Sequence, residues 1–269
     1  MRNPDSHLNG SPTEGFVAIR AGRDRLPSED EGFGARPAVL VAMPEELTPF
    51  LGLGSFPKRG KQVGGAQIWV GDLLGNETLL VQTGLGLANA ASAATVACVQ
   101  LRATSLISAG SAGGMGDDVH VGDVVIASSA LYATADATAF GHYVPGQIPL
   151  MPPTFTVSSH FRRLAGSYRV SGSDPVNAHQ GLIVSGDVFV VDHNFHAYRE
   201  LFPTALAADM ESAAVAQVAH LFAIPWLSVR GISDLCGAGA RTEHETHLDG
   251  ASNLSAAVVT SLLESKPDK

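Results

Sequence analysis

The sequence predicts an α/β fold of three layers, with strands running in both directions between helices. Three observations carry this. Apolar runs of strand length recur along the chain and are separated by segments with helical spacing. Gly, Pro and Asn punctuate the joins. One pair of runs, Gln67–Leu73 and Glu77–Gln82, meets at Gly75-Asn76 and reads as a hairpin, so the strands cannot all be parallel.

The elements follow in order. Ala38-Val39-Leu40-Val41-Ala42 is a short buried strand, and Met43-Pro44-Glu45-Glu46-Leu47 starts a helix, with Pro and acids suited to a first turn. After the hairpin, Ala88 to Leu101 is an Ala-rich helix. Ser105–Ser108 and Asp123–Ala127 are strands. Residues 132–156, rich in Pro and Gly after Gly141, form a long loop, a feature usually kept for function. A helix near His160 to Ala165, a strand at Gly181–Val184, a helix from Met210, a strand from Leu227 to Ile232 and a last helix from about Ala251 to Glu264 complete the series. Residues 1–36 differ: polar, full of turn formers and without periodicity, they predict a disordered N-terminal extension, leaving residues 37–269 as a single domain.

Composition narrows the function classes. A chain of 269 residues with a formal charge of −9 and no Lys/Arg cluster does not fit a nucleic-acid or anionic-membrane partner. No apolar run approaches the roughly 20 residues of a membrane span. The N-terminus lacks the pattern of a secretory signal. Cys98 and Cys236, the only cysteines, read as reduced thiols, so the expected location is the cytoplasm.

Several segments carry chemistry. Glu211 opens a helical pattern and Asp234 closes a strand-like run beside Arg230 and Ser233. Carboxylates at the edge of a core need partners or a task. On residue chemistry alone, a buried ion network around Arg230 and a catalytic pair are equally good readings. Ser108-Ala109-Gly110-Ser111-Ala112-Gly113-Gly114 reads as a Gly-rich loop after a strand, either a tight turn or a ligand cradle. Thr83-Gly84-Leu85-Gly86-Leu87-Ala88-Asn89 only partly matches a dinucleotide fingerprint, because Asn89 replaces the third glycine. No Lys or Arg lies between Lys61 and Arg102 or between Arg102 and Arg162, so neither glycine segment brings the cation a phosphate site normally has. That favours a neutral polyol. His244-Glu245-Thr246-His247 has the wrong spacing for a zinc-protease helix and reads as a solvated loop; no metal is expected. Gly110-Ser111-Ala112-Gly113 is not a nucleophile elbow either.

Taken in order from about residue 37 to 265, these segments resemble the 5'-methylthioadenosine/S-adenosylhomocysteine nucleosidases of the nucleoside phosphorylase/nucleosidase superfamily. The resemblance rests on Val41–Leu47, Thr83–Gly86, Gly110–Gly114, Val121–Ala127, Asp136–Gly141, Gly146–Pro149, Gly181–Phe189, Asp209–Ala214 and Arg230–Asp234. It implies a nucleoside phosphorylase-like fold around a mixed, strongly curved sheet, a homodimer, a small-molecule nucleoside as ligand, and hydrolysis of an adenine N-glycosidic bond without cofactor or metal. By this resemblance Asp234 is the acid at adenine N7 and Glu46 activates the attacking water, helped by Arg230 and Ser111. Ser233, Phe189 and Val190 orient the base, and Met210 and Glu211 hold the ribose. Ala137, Phe140 and Pro149 would cover the 5'-substituent in a partner subunit. Departures from the pattern are Leu87 where Lys is common, His142 where an aromatic often stands, and a segment from His244 to Leu254 without the Phe that closes over the 5' pocket. A phosphorylase of the same fold and a non-catalytic nucleoside-binding protein are the alternatives.

Overall fold

A computed structural model describes residues 35–167 and 177–264. Of the expected N-terminal extension, residues 1–34 lie outside the described residues. Arg36 is already tied to the fold: its backbone N–H donates to Thr104 Oγ1 at 2.9 Å and its guanidinium to the Leu101 carbonyl at 3.1 Å.

The expected α/β alternation is present. Strands β1 (Pro37–Val41), β2 (Lys61–Val63), β3 (Ala66–Leu73) and β4 (Asn76–Gln82) alternate with helix α1 (Pro44–Leu53) and lead into α2 (Leu87–Val99). Then come β5 (Ser105–Gly114), β6 (Val124–Tyr132), β7 (Phe155–Thr156), α3 (Ser159–Ser167), β8 (Ala178–Ser185), α4 (Asp192–Leu201), β9 (Ala205–Asp209), α5 (Ser212–Phe222), β10 (Trp226–Asp234) and α6 (Ala240–Glu264). The predicted hairpin is β3–β4, in register from Gln67 opposite Gln82 to Leu73 opposite Asn76.

The sheet runs β10-β6-β8-β9-β5-β1-β4-β3-β2, and β10 also pairs with β5. That extra pairing closes β5, β10, β6, β8 and β9 into a ring, which is the strong curvature expected. It is possible because β5 is long. Its whole length lies beside β10, from Leu106 with Trp226 to Gly113 with Asp234. Its other edge takes β1 over the first half and β9 over the end. Strand directions are mixed: β5–β10 and β6–β8 are parallel, whereas β6–β10 and β5–β9 are antiparallel.

The segment Ser108–Gly114, expected as a loop, is the second half of β5, and all ten residues of that strand are buried. Its small residues serve close packing. A Cβ on Gly110 would lie 2.3 Å from Glu46 Oε1, and one on Gly113 would lie 2.4 Å from Cys236 Sγ. The last helix also begins earlier than expected, at Ala240, because its first half is mostly exposed and shows no apolar stripe. Strand β9 and helix α4 escape the sequence pattern as well: β9 is an Ala-rich stretch of five residues, and α4 buries none of its residues.

Small residues also set the layer spacing. Ala90, Ala93, Ala94 and Ala97 of α2 face the buried Ala213, Ala214, Ala216 and Ala219 of α5, so the two helices pack closely on one side of the sheet. On the other side α6 packs on β10 and β5. Among the described residues no helix is long and apolar enough to cross a membrane.

The α6–β10 contact yields a test. A Cβ on Gly231 would meet the Ala251 carbonyl oxygen at 2.1 Å, a backbone atom that cannot swing aside. Gly231→Ala should lower the urea midpoint by the equivalent of about 1–3 kcal/mol, with the slope unchanged. An unaltered midpoint would mean that α6 is not held against β10 as described.

Candidate active site

A cavity of ≈ 350 Å³ opens at the ends of β5, β9 and β10, within the size range of small-molecule sites. Its wall includes Glu46, Ser111, Phe189, Val190, Met210, Glu211 and Asp234, so seven of the residues singled out from sequence converge on one space.

Glu46 owes its position to helix α1. Pro44 occupies the first turn, and Glu46, as third residue, turns back so that Oε2 accepts the backbone N–H groups of Ala42 at 2.8 Å and Met43 at 3.2 Å. Oε1 accepts the N–H of Ser111 at 2.8 Å and its hydroxyl at 3.1 Å. These four donors stabilise a carboxylate against the cost of burial.

Glu211 stands at the N-terminus of α5. Its Oε1 accepts the Gly86 N–H at 2.9 Å, and its Oε2 lies 3.5 Å from Arg230. The turn that half-matched a dinucleotide fingerprint therefore binds the chain's own carboxylates: Leu87 N–H donates to Asp187 Oδ1 at 2.7 Å. Helix N-termini favour anions, and α2 takes two from within the protein. Burial pushes the Glu211 carboxyl up to about 7; Arg230 pulls it down, Asp209 and Glu46 push it further up, and the Gly86 hydrogen bond lowers it.

Arg230 and Ser233 do not line the cavity; they lie behind it. The Arg230 side chain is 1% exposed and 2.8 Å from Asp209 Oδ2. It also donates to Ser108 Oγ at 2.5 Å and to the Ser111 carbonyl at 3.4 Å. Asp209 is saturated by Ser185 Oγ at 2.5 Å, by the Ser212 N–H and by the Ser212 hydroxyl. The ion network around Arg230 therefore takes in Glu211 but not Asp234.

Asp234 closes β10. Its Oδ1 accepts the Cys236 N–H at 3.0 Å and its Oδ2 the Ser233 hydroxyl at 3.0 Å. Burial raises its pKa; those two hydrogen bonds and the charge of His244 oppose the rise, and Glu243 adds to it. Gly110 touches Glu46 and Gly113 touches Asp234. The cavity therefore sets an acid with a raised pKa at one end, a hydrogen-bonded carboxylate at the other and Glu211 in the wall. Such a site can protonate a leaving nitrogen, hold a diol and stabilise a developing cation.

The remaining predicted residues lie elsewhere. Phe140 is 69% exposed and Pro149 is exposed, both outside this cavity. Ala137, expected beside them in a partner's pocket, also lies outside this cavity and is 6% exposed. Among the described residues no group of three or more His, Cys, Asp or Glu could hold a metal ion.

The chain matches the phosphorylase superfamily over residues 36–264. A 5'-methylthioadenosine/S-adenosylhomocysteine nucleosidase of Chromohalobacter salexigens is 34% identical over 228 residues, covering 84% of this chain and 96% of that one. The chain belongs to the 5'-methylthioadenosine/S-adenosylhomocysteine nucleosidase family. That is a family of N-glycosyl hydrolases. The nucleosidase of Neisseria meningitidis, solved in complex with methylthio-immucillin-A, superposes with a TM-score of 0.79 at 32% identity, covering 86% of this chain and 100% of that one. The nucleosidase of Colwellia psychrerythraea, solved in complex with adenine, gives 0.81 at 29% identity over 85% and 94%.

Two residues of this nucleosidase site were not picked out from the sequence. Asp209, two residues before Glu211, supplies the carboxylate that faces the buried Arg230 most closely, and it lines the cavity. His244, read as part of a solvated loop, sits in the first turns of α6 and lines the cavity. Its surroundings are exposed and polar, so no periodicity marks it.

The raised Glu211 pKa has a signed consequence for stability. The folded state holds this proton more tightly than the unfolded chain, so the contribution is full below about pH 4.5 and is lost as pH rises through about 7. Asp234, also raised, acts in the same sense. Glu211→Gln should flatten the fall in Tm between pH 5 and pH 7.5 in proportion. A variant that keeps the full wild-type slope would show that Glu211 is not the group responsible.

Proposed function

We propose that this nucleosidase hydrolyses the N-glycosidic bond of 5'-methylthioadenosine, S-adenosylhomocysteine or both, releasing adenine. The observation that carries the reading is that one cavity is walled both by Glu46, fixed by four hydrogen bonds, and by Asp234, whose pKa burial raises. Two such groups flanking a scissile bond suit hydrolysis in which one gives a proton to the leaving base and the other takes one from water.

In this reading Asp234, its proton retained by burial, donates to adenine N7 and makes the base a neutral leaving group. Phe189 and Val190 line the base end of the cavity, and Met210 packs against the sugar. Glu211 holds the ribose hydroxyls; near its titration midpoint at neutral pH it can both donate to and accept from a diol. As the C1'–N9 bond breaks, positive charge grows on the sugar, and Glu46 takes a proton from the attacking water. Ser111 fixes Glu46, and Arg230 fixes Glu211 from behind.

Water is favoured over phosphate as nucleophile because Arg230 is engaged by Asp209 and Glu211. Arg241, at the rim, is paired with Glu245 at 2.9 Å. A phosphate beside Glu46 would set anion against anion. The same reading makes the protein a homodimer in which Phe140 and Pro149 cover the 5'-substituent in the partner's cavity; the exposure of Phe140, Val144 and Leu150 on that loop supports it.

Incubation with 5'-methylthioadenosine in phosphate-free buffer should release adenine. Adenine that appears only after phosphate is added would mean phosphorolysis, and none under either condition would mean a binding protein. Asp234→Asn should lower kcat by about 10²–10⁴-fold with substrate affinity largely kept. Undiminished turnover would take the acid role away from Asp234.

A further inference from the structure

The first turns of α6 bring one titratable side chain against the acid end of the cavity. The His244 ring meets Phe189 edge to face, with centroids 5.6 Å apart at 71°. Its Nδ1 is 3.0 Å from Ser233 Oγ and 3.9 Å from Asp234 Oδ2. Ser233 Oγ is in turn 3.0 Å from Asp234 Oδ2 and 3.4 Å from the Ala112 carbonyl.

A hydroxyl has one proton to give. When Asp234 is ionised, Ser233 gives that proton to Oδ2, the nearer and charged acceptor, so it must accept one from His244 Nδ1–H. Ser233 and Asp234 are buried, whereas 23% of the His244 side chain reaches solvent. The other oxygen of Asp234 is taken by the Cys236 N–H and lies against Gly113. The hydrogen-bonded line His244–Ser233–Asp234 therefore joins bulk water to the inner oxygen of the acid.

We propose that His244 is a positioning and proton-relay residue that returns a proton to Asp234 through the Ser233 hydroxyl in each turnover. The inference rests on the hydrolytic reading above. Each cycle leaves Asp234 one proton short, given to the base, and Glu46 with one extra, taken from water. In the return step the imidazolium of His244 loses its Nδ1 proton to Ser233 Oγ while the Ser233 O–H proton moves to Asp234 Oδ2. The neutral imidazole regains a proton from solvent, and Glu46 releases one. No net proton is consumed. The charged groups around His244 are Asp234 from β10 and Glu243, Arg241 and Glu245 from its own helix; Phe189 brings no charge. Glu243 is held by the Leu235 N–H at 3.1 Å and Arg241 by Glu245, which leaves Asp234 as the partner His244 addresses.

The test is kcat and KM for adenine release from 5'-methylthioadenosine between pH 5 and pH 9. It compares the wild type with His244→Phe, His244→Asn and His244→Ala. Phe preserves an aromatic contact with Phe189, and Asn preserves a polar contact with Ser233 without a titrating proton. The relay predicts a fall in kcat of about tenfold or more in all three, with KM within a few-fold. It also predicts a changed pH dependence of kcat in all three, and partial recovery of His244→Ala by added imidazole. Variants that keep the wild-type pH profile, or that change KM alone, would overturn the relay and leave the hydrolase intact. A wild-type protein that releases no adenine would overturn both.

Discussion

The structure depends on the ion pair between Arg230 and Asp209. A guanidinium with 1% of its side chain exposed is tolerable only among anions and acceptors, and here they come from separate parts of the chain. Asp209 ends β9, Ser108 and Ser111 lie in β5, Ser212 and Glu211 open α5, and Arg230 itself is in β10. One side chain thus bonds three strands of the closed ring to the helix that presents Glu211. Because Asp209 faces Arg230 most closely, Glu211 receives only part of the cation's field. Burial then dominates and lifts its pKa towards neutrality.

The three carboxyl groups of the cavity differ through their surroundings. Glu46 accepts four hydrogen bonds, two from the turn before α1 and two from Ser111 of β5. Asp234 accepts two and is otherwise buried, which raises its pKa. Glu211 lies between. An acid with a raised pKa sharing a cavity with a hydrogen-bonded carboxylate suits acid–base chemistry at neutral pH. The glycines of β5 make the arrangement possible, since Gly110 and Gly113 leave the space into which Glu46 and Asp234 fit.

Much of this was legible in the sequence. Strand β1 is a continuous apolar run, β4, β6 and β10 carry shorter apolar stretches, and α2 announces itself by its alanines. Glu211 and Asp234 stood out as acids at the edges of core elements, whereas Glu46 read as a first-turn acid and took a role only from the family resemblance. What stayed hidden has physical reasons. Ser108–Gly114 carries turn-forming residues yet is a strand, because neighbouring side chains occupy the space its own would take. β9 is short and made of alanine, so neither period nor β-branching marks it. The start of α6 is solvated on most sides, which hid both the helix and His244. Asp209 needed the knowledge that Arg230 is buried, and burial of a lone arginine cannot be read from its neighbours in sequence.

The central claim is that Arg230 is held by, and holds, the carboxylates behind the cavity. Denaturant unfolding of Arg230→Met at pH 7 tests it most directly. The account predicts a loss of about 3–5 kcal/mol, since Asp209 and Glu211 would be left as unpaired buried charges, and a partial return of stability when Asp209→Asn is added. An Arg230→Met protein within about 0.5 kcal/mol of the wild type would contradict it.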